Sequence, residues 1–318
     1  MRIDEALETR DSFAIYGTGV LAQRLFDLLN NEDRKRLECF IVSDGLLNET
    51  SFNGFRVVEL SKYIQKDNSI ILIALNETHK DKVIANVERK NNKYFYCLED
   101  DYKLLYRKRN PIDTKTFIGS SEPVSRVFGL DRGEPIDRYY IEKFIGIEGK
   151  VLSKVSRTLE VGELLYSNIF FPDAEHEVLD YGLGMDLTKS DTIKENYYDV
   201  FICTQTLNFI YDVRSAIRGC FNLLKPGGVM LATVAGNISQ ISRYDMDRWG
   251  DYWRFTDKSI RLLVGETFGD NVSVYPFGNS MAATAFIQGL CVEEVDNKLL
   301  DVCDPDYSIV IGIVAQKV

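Results

Sequence analysis

Apolar residues in this chain fall in short runs, each closed by a glycine- or aspartate-containing turn and followed by a stretch with helical spacing. Residues 13–16 read as a buried strand, Gly17-Thr18-Gly19 as a tight turn, and Val20, Leu21, Leu25, Phe26, Leu28 and Leu29 as one face of a helix. Residues 39–42 form a second strand ending in Ser43-Asp44-Gly45, and residues 69–75 a third, with Val83, Ile84 and Val87 marking the helix after it. Strands alternating with helices predict an open parallel sheet reaching to about Glu99.

From Asp100 to Pro123 the periodicity fades and Lys103, Arg107, Lys108 and Arg109 precede Asn110-Pro111, which places a domain boundary there. A second series follows the helix-like segment 136–145, with strands expected at 157–161, 176–180, 198–203, 228–234, 272–275 and 308–315. The terminal strand is expected to close an edge of this sheet. Val213, Ala216, Ile217, Cys220 and Leu224 keep helical spacing until Pro226-Gly227-Gly228 stops them. Another helix is expected to open on Thr256 as N-cap, bury Ile260, Leu263, Val264 and Phe268, and end at Gly269. The expected organisation is α/β throughout: a first domain at 1–100, a linker at 101–123 and a second domain at 124–318.

Composition narrows the class. A net charge of -10 and a pI near 4.9 argue against broad binding of nucleic acid phosphates, so no nucleic acid partner is expected. No apolar run approaches the roughly 20 residues a membrane span needs, and the start MRIDEALETRD is too charged for a signal peptide. The expected location is the cytoplasm. The six cysteines lack CxxC spacing and read as reduced structural thiols. Of the two histidines, His79 falls in a loop and His176 begins a strand, so no metal site is expected.

Candidate chemistry appears at the strand ends. Gly17-Thr18-Gly19-Val20-Leu21-Ala22 has the form G-x-G-x-x-A between a strand and a helix, where Gly17 and Gly19 let backbone amides approach a phosphate, and Asp44 could accept from ribose hydroxyls. The alternative is a tight turn and an Asp-Gly loop with nothing bound. Residues 13–99 resemble the small Rossmann-like domains at the N-terminus of bacterial surface-sugar enzymes, which implies a nucleotide or nucleotide-sugar ligand.

In the second half, Leu159-Glu160-Val161-Gly162 ends a strand, Asp180 ends the next, Met185-Asp186-Leu187 follows, and Thr204-Gln205-Thr206-Leu207 and Leu224-Lys225-Pro226-Gly227-Gly228 come downstream. This order resembles class I S-adenosylmethionine-dependent methyltransferases over residues 124–318, a second Rossmann-like domain with an antiparallel terminal strand. The resemblance implies S-adenosylmethionine as cofactor, with Glu160, Gly162, Tyr166, Asp180, Asp186, Leu187, Thr204, Gln205 and Tyr139 as candidate contacts. Asp180 would hold the ribose diol, Asp186 face the adenine amine, and Gly162 let the backbone approach the nucleoside. The family's loop has the form E-x-G-x-G-x-G, whereas Leu164 and Tyr166 stand here where later glycines would be. In Arg132-Gly133-Glu134-Pro135-Ile136-Asp137-Arg138-Tyr139-Tyr140, Tyr139 would lie over the methionine end of the cofactor; the alternative is a helix whose tyrosines pack on the sheet.

The segment SQISRYDMDRWGDYWRFT from Ser239 to Thr256 is the densest chemistry in the chain. Arg243 and Arg248 could fork onto carboxylate, phosphate or sugar hydroxyls, Trp249, Tyr252 and Trp253 could stack on a ring, and Asp245, Asp247 or Asp251 could take an acceptor proton, with Tyr244 beside them. The alternative is a lid held by its own Arg–Asp pairs. Together with the RGEPIDRYY segment, this cluster is similar to bacterial methyltransferase-like proteins encoded with polysaccharide-modifying enzymes, which implies a glycan-related acceptor. The expected activity is methylation of a small polar acceptor, such as a sugar or nucleotide-linked sugar. The rivals are a catalytically silent binding or scaffold protein that recognises a nucleotide sugar or partner enzyme, and a non-methylating transferase using a nucleotide in the first domain.

Overall fold

The computed structural model describes residues 2–112 and 120–318, so residues 113–119 of the expected linker lie outside the described residues. The described chain divides into two compact units, the first reaching to residue 112 and the second starting at residue 120.

In the first unit the elements are α1 (Ile3–Glu8), β1 (Ser12–Tyr16), α2 (Val20–Leu28), α3 (Asn31–Arg36), β2 (Leu37–Val42), β3 (Ser51–Phe52), β4 (Phe55–Glu59), β5 (Ser69–Ile73), α4 (Lys80–Arg89), β6 (Tyr94–Tyr96) and α5 (Glu99–Arg109). Their sheet runs β3-β4-β2-β1-β5-β6, parallel except for the β3–β4 hairpin. Alternation along β1 explains the two covered faces: Phe13 and Ile15 meet Ala22, Leu25 and Phe26, whereas Ala14 and Tyr16 share a cluster with Val83 and Val87. Val20, expected on the buried face of α2, is 85% exposed. The expected linker also begins inside a helix: α5 buries Tyr102 and Leu105, and its Lys108 and Arg109 pair with Asp4 and Asp33. Those charges read as a solvated stretch only until α1 and α3 supply the carboxylates.

The second unit contains α6 (Ile136–Val151), β7 (Arg157–Val161), α7 (Leu165–Phe170), β8 (Glu175–Leu179), β9 (Tyr198–Thr204), α8 (Val213–Leu223), β10 (Leu224–Ala235), α9 (Arg243–Met246), α10 (Asp257–Phe268), β11 (Val272–Phe277), α11 (Ser280–Gln288), α12 (Asn297–Leu300) and β12 (Val310–Gln316). Its sheet order is β11-β12-β10-β9-β7-β8, with β7 to β10 parallel and β12 antiparallel to both neighbours. The terminal strand therefore lies inside the sheet and β11 takes the edge, correcting the expected placement. Val310–Ala315 are almost wholly apolar, as a strand covered on both faces requires.

Both α/β sheets thus have six strands. In the second, Phe201, Met230 and Ile313 pack with Ala216, Ile217 and Cys220 of α8 and Ile260 and Val264 of α10. Thr256 caps α10 by accepting from Ser259 N at 3.1 Å, and Gly269 ends it. Gly219 of α8 has a spatial reason to lack a side chain, since a Cβ there would lie 2.0 Å from the Leu187 carbonyl oxygen. All parallel strands of this unit end on one side, so β7, β8, β9 and β10 deliver the residues that follow them to a common edge.

Candidate functional site

At the end of β7, Gly162 turns with φ +83°, and the direction its missing Cβ would take is open. Glu160 is 3% exposed and does not face that opening: its two oxygens accept from Tyr166 N at 3.0 Å and Ser167 N at 2.7 Å, capping the first turn of α7. Tyr166 is buried, and its hydroxyl accepts from Arg138 Nη1 at 3.3 Å. Both residues are engaged by these bonds around the loop that follows β7.

Asp180 follows β8. One of its oxygens, Oδ1, accepts from Gly182 N at 2.7 Å, and the other takes no bond from the described residues. Asp186 is fully engaged by Thr188 N at 2.9 Å, Thr188 Oγ1 at 2.7 Å and Lys189 Nζ at 3.0 Å. Burial pushes its carboxyl up, but the Thr188 bonds and the Lys189 charge bring it below the usual range. Residues 160, 180 and 186 therefore share no bonding partner, and of the three Asp180 alone keeps an oxygen for a ligand. Leu187 is a core residue whose side chain joins the main cluster.

At the end of β9, Thr204 is half-buried and its carbonyl accepts from Thr206 Oγ1. Gln205 sits at φ +47°, held by a bond from its N–H to Thr233 O at 2.8 Å, and its Nε2 is buried with no partner among the described residues. Two residues of the second unit that sequence reading passed over share this property: Asn208 Oδ1, in a residue 3% exposed, and Gln240 Nε2. Buried amides without partners are costly, by about 1–3 kcal/mol each, and such groups call for a water or a ligand. An Asn within the apolar run Leu207 to Ile210 was the faint signal available for Asn208.

Tyr139 is turned to Asp301, donating to Oδ1 at 2.6 Å, a bond that with burial pushes its phenol up to about 12. The expected role of Tyr139 at the cofactor's methionine end would have to be played by its ring, since its hydroxyl is engaged by Asp301. The preceding residues form a clasp: Arg132, nearly inaccessible, binds Glu294 in a bidentate pair, Val292 N donates to Glu134 O at 2.8 Å, and Glu134 N donates to Glu293 Oε2 at 3.0 Å.

The cluster after β10 separates into scaffold and working surface. Asp251, its side chain 1% exposed, accepts both arms of Arg254 at 2.5 and 2.7 Å and Ser242 N at 3.1 Å. Arg254 also donates to Ser239 O and Gln240 O, tying the loop shut. Trp253 Nε1 donates to Ile210 O at 3.0 Å while its ring packs on the core. Asp245 accepts from Ser242 Oγ at 2.6 Å as part of the α9 cap. Asp251, Trp253 and Asp245 hold the segment, rather than presenting it to an acceptor. Arg248 lies over the Tyr244 ring, 3.4 Å from its centroid. Arg243 and Asp247 are exposed with no side-chain partner among the described residues. Trp249 and Tyr252 are each about half-exposed, and Trp249 meets the Tyr181 ring edge-on at 5.9 Å, which brings the cluster beside the turn after Asp180.

In the first unit, Gly17 has φ +120° and a Cβ there would lie 2.9 Å from Ala74 O, so this glycine is required by the fold. Asp44 Oδ1 accepts from Ser61 N at 2.8 Å, and bonds from Ser61 lower its carboxyl. It fastens the segment after β4. Gly19 precedes α2 with ordinary backbone angles and open space around its missing Cβ.

Comparison with known proteins finds a partial likeness. Residues 167–232, from α7 into β10, match the family model described as a methyltransferase domain. That stretch of the second unit is similar to a methyltransferase domain over these 66 residues. Among curated proteins, two from Dictyostelium discoideum are similar: Probable polyketide synthase 7, 27% identical over 79 residues and 25% of this chain, and Probable polyketide synthase 6, 22% identical over 255 residues and 78% of this chain. The chain spans 3% and 8% of the length of those two proteins. Among solved structures, the N-methyltransferase NodS from Bradyrhizobium japonicum WM9 in complex with S-adenosyl-l-homocysteine is 14% identical with a TM-score of 0.37, covering 63% of this chain and 98% of that one.

Proposed function

We propose that the second unit is an S-adenosylmethionine-dependent methyltransferase acting on a small polar acceptor at the strand-end edge of its sheet. The methyltransferase-domain match across residues 167–232 carries this reading, because that stretch supplies the ends of β8 and β9 to the edge. The residues there fit the cofactor in three respects. Gly162 leaves open space, Asp180 keeps one carboxylate oxygen for a ribose hydroxyl, and Gln205 offers a buried amide that lacks a partner.

When bound, S-adenosylmethionine supplies an electrophilic methyl on a sulfonium. The chain's part is to orient the acceptor and remove its proton. Trp249 and Tyr252 offer ring faces, Arg243 an unpaired guanidinium, and Asp247 a carboxylate able to accept the proton from an acceptor hydroxyl or amine. Stacking surfaces beside charged forks suit a sugar or nucleotide-linked sugar, the acceptor we favour.

One observation favours a second reading, a catalytically silent binding or scaffold protein that recognises a nucleotide sugar or partner enzyme in place of the cofactor. Glu160 consumes two first-turn amides of α7, and Tyr166 fills the place where a glycine would admit the cofactor. Calorimetry of the whole protein with S-adenosylmethionine and with S-adenosylhomocysteine separates the readings. Saturable binding that Asp180→Ala weakens at least tenfold supports the first; heat signals absent for both compounds refute it.

A further inference from the structure

Past the end of β9, Tyr211 is 72% exposed, meets the Tyr252 ring edge-on at 5.4 Å and stacks on Trp253 at 6.1 Å. Its segment is fixed in place: Asn208 O accepts from Tyr252 N at 2.9 Å and Trp253 N at 3.2 Å, and Trp253 Nε1 donates to Ile210 O, so residues 208–211 are stitched along 252–253. Trp249 and Tyr181 make a second exposed pair, and among the described residues no ring contact joins it to the first. Gly250 stands between the two. Its φ is +89°, and a Cβ there would lie 2.2 Å from the Tyr252 ring, so that ring is folded back over the turn, held apart from Trp249 by a residue that has no side chain.

Four rings about half-exposed or more, gathered in two pairs, mark a binding surface. An apolar ligand needs an enclosing pocket to shed its water; open ring faces suit a molecule that packs its C–H face on them and keeps its hydroxyls solvated. Charge narrows the choice. Arg254 is spent on Asp251, and Arg248 lies over the Tyr244 ring while donating to Tyr244 O, which leaves Arg243 against the carboxylates of Asp180, Asp245 and Asp247. A diphosphate here would meet more negative charge than positive. The polar contact comes from Asn208: its side-chain amide makes no hydrogen bond among the described residues, and with Oδ1 fully enclosed, Nδ2 is the end left to donate to a hydroxyl or ring oxygen.

Resting on the reading of this edge as the acceptor side, we propose that the acceptor is an uncharged saccharide of at least two linked rings, one packed on Tyr211 and Tyr252 with a hydrogen bond from Asn208, the next on Trp249 and Tyr181. The test probes an array of neutral mono-, di- and trisaccharides with the full chain in the absence of S-adenosylmethionine, then compares by calorimetry the tightest disaccharide with its own monosaccharide and with UDP-glucose. Expected are a disaccharide bound roughly tenfold more tightly than its monosaccharide, and roughly tenfold weakening in each of Tyr211→Ala, Trp249→Ala and Asn208→Ala. Tyr211→Ala and Trp249→Ala change exposed positions and should melt like the parent. Saturation should shift tryptophan fluorescence to the blue in the parent and not in Trp249→Ala, because the other tryptophan, Trp253, is packed on the core. Four results would overturn the proposal: no neutral saccharide bound on the array, monosaccharide and disaccharide bound equally, UDP-glucose bound more tightly than the disaccharide, or unaltered disaccharide binding in Tyr211→Ala. Because these titrations omit the cofactor, saccharide binding by a protein that takes up no S-adenosylmethionine would uphold the two-ring site while refuting methyl transfer.

Discussion

Replacing Asp251 by alanine should loosen the segment 239–255 while leaving both sheets folded. The carboxylate is almost completely buried, receives both arms of Arg254 and also the Ser242 amide. Removing one partner of a buried ion pair costs about 3–5 kcal/mol, because the other charge stays behind. Arg254 is 22% exposed and retains carbonyl partners at Ser239, Gln240 and Trp253, which places the loss at the lower end, about 3 kcal/mol. At about 2–4 °C per kcal/mol for a unit of this size, the melting temperature of the second unit should fall by about 6–12 °C. Circular dichroism melting reads the global loss, and hydrogen exchange by mass spectrometry locates it at residues 239–255. Arg243→Ala, at an exposed position, should stay within about 0.5 kcal/mol of the parent. If Asp251→Ala loses under 1 kcal/mol, with unaltered exchange, the division of the cluster into scaffold and working surface is wrong.

Further outcomes follow from the same geometry. Gly219→Ala should leave little folded protein on expression, since the new methyl meets a backbone carbonyl at 2.0 Å that has no rotamer to change; a soluble variant with parental melting would contradict this. Arg243→Ala and Asp247→Asn should depress methyl transfer to a sugar acceptor at least tenfold without changing S-adenosylmethionine binding, which separates acceptor handling from cofactor handling. For Tyr139, the Asp301 bond raises the phenol from 10.0 to about 12, so the folded state holds the proton more tightly. That contribution is complete below about pH 10 and is lost as pH rises through about 12. Urea unfolding across that range should show a steeper alkaline decline in the parent than in Tyr139→Phe.

What the sequence made legible was the part governed by local periodicity. The six strands of the second sheet fall within a few residues of their expected positions, and the Thr256 cap and Gly269 stop coincide with the ends of α10. Strands β3 and β6 escaped because their runs are too short to show a period, and β4 because Arg56 and Glu59 interrupt its apolar run. The place of β12 escaped for another reason: apolarity announces a buried strand but not which neighbours it pairs with. Site residues fared unevenly. Glu160, Asp186 and Asp251 have the residue types that bind ligands, yet their direction is fixed by backbone amides and by Arg254 only once the chain is folded. Asn208 and Gln240 carry no motif, and only the lack of a buried partner singles them out.

The antiparallel insertion of β12 between β10 and β11 has a consequence for how the second unit is made. During synthesis β11 has no hydrogen-bonding neighbour until residues 310–316 emerge, because its ladder runs wholly through β12. Until then two separated edges of unpaired amides wait on the nascent chain, open to misregistered pairing or to a chaperone. Closure of this sheet is therefore a late and long-range event, and the cluster after β10 gains its finished support only with the arrival of that final strand.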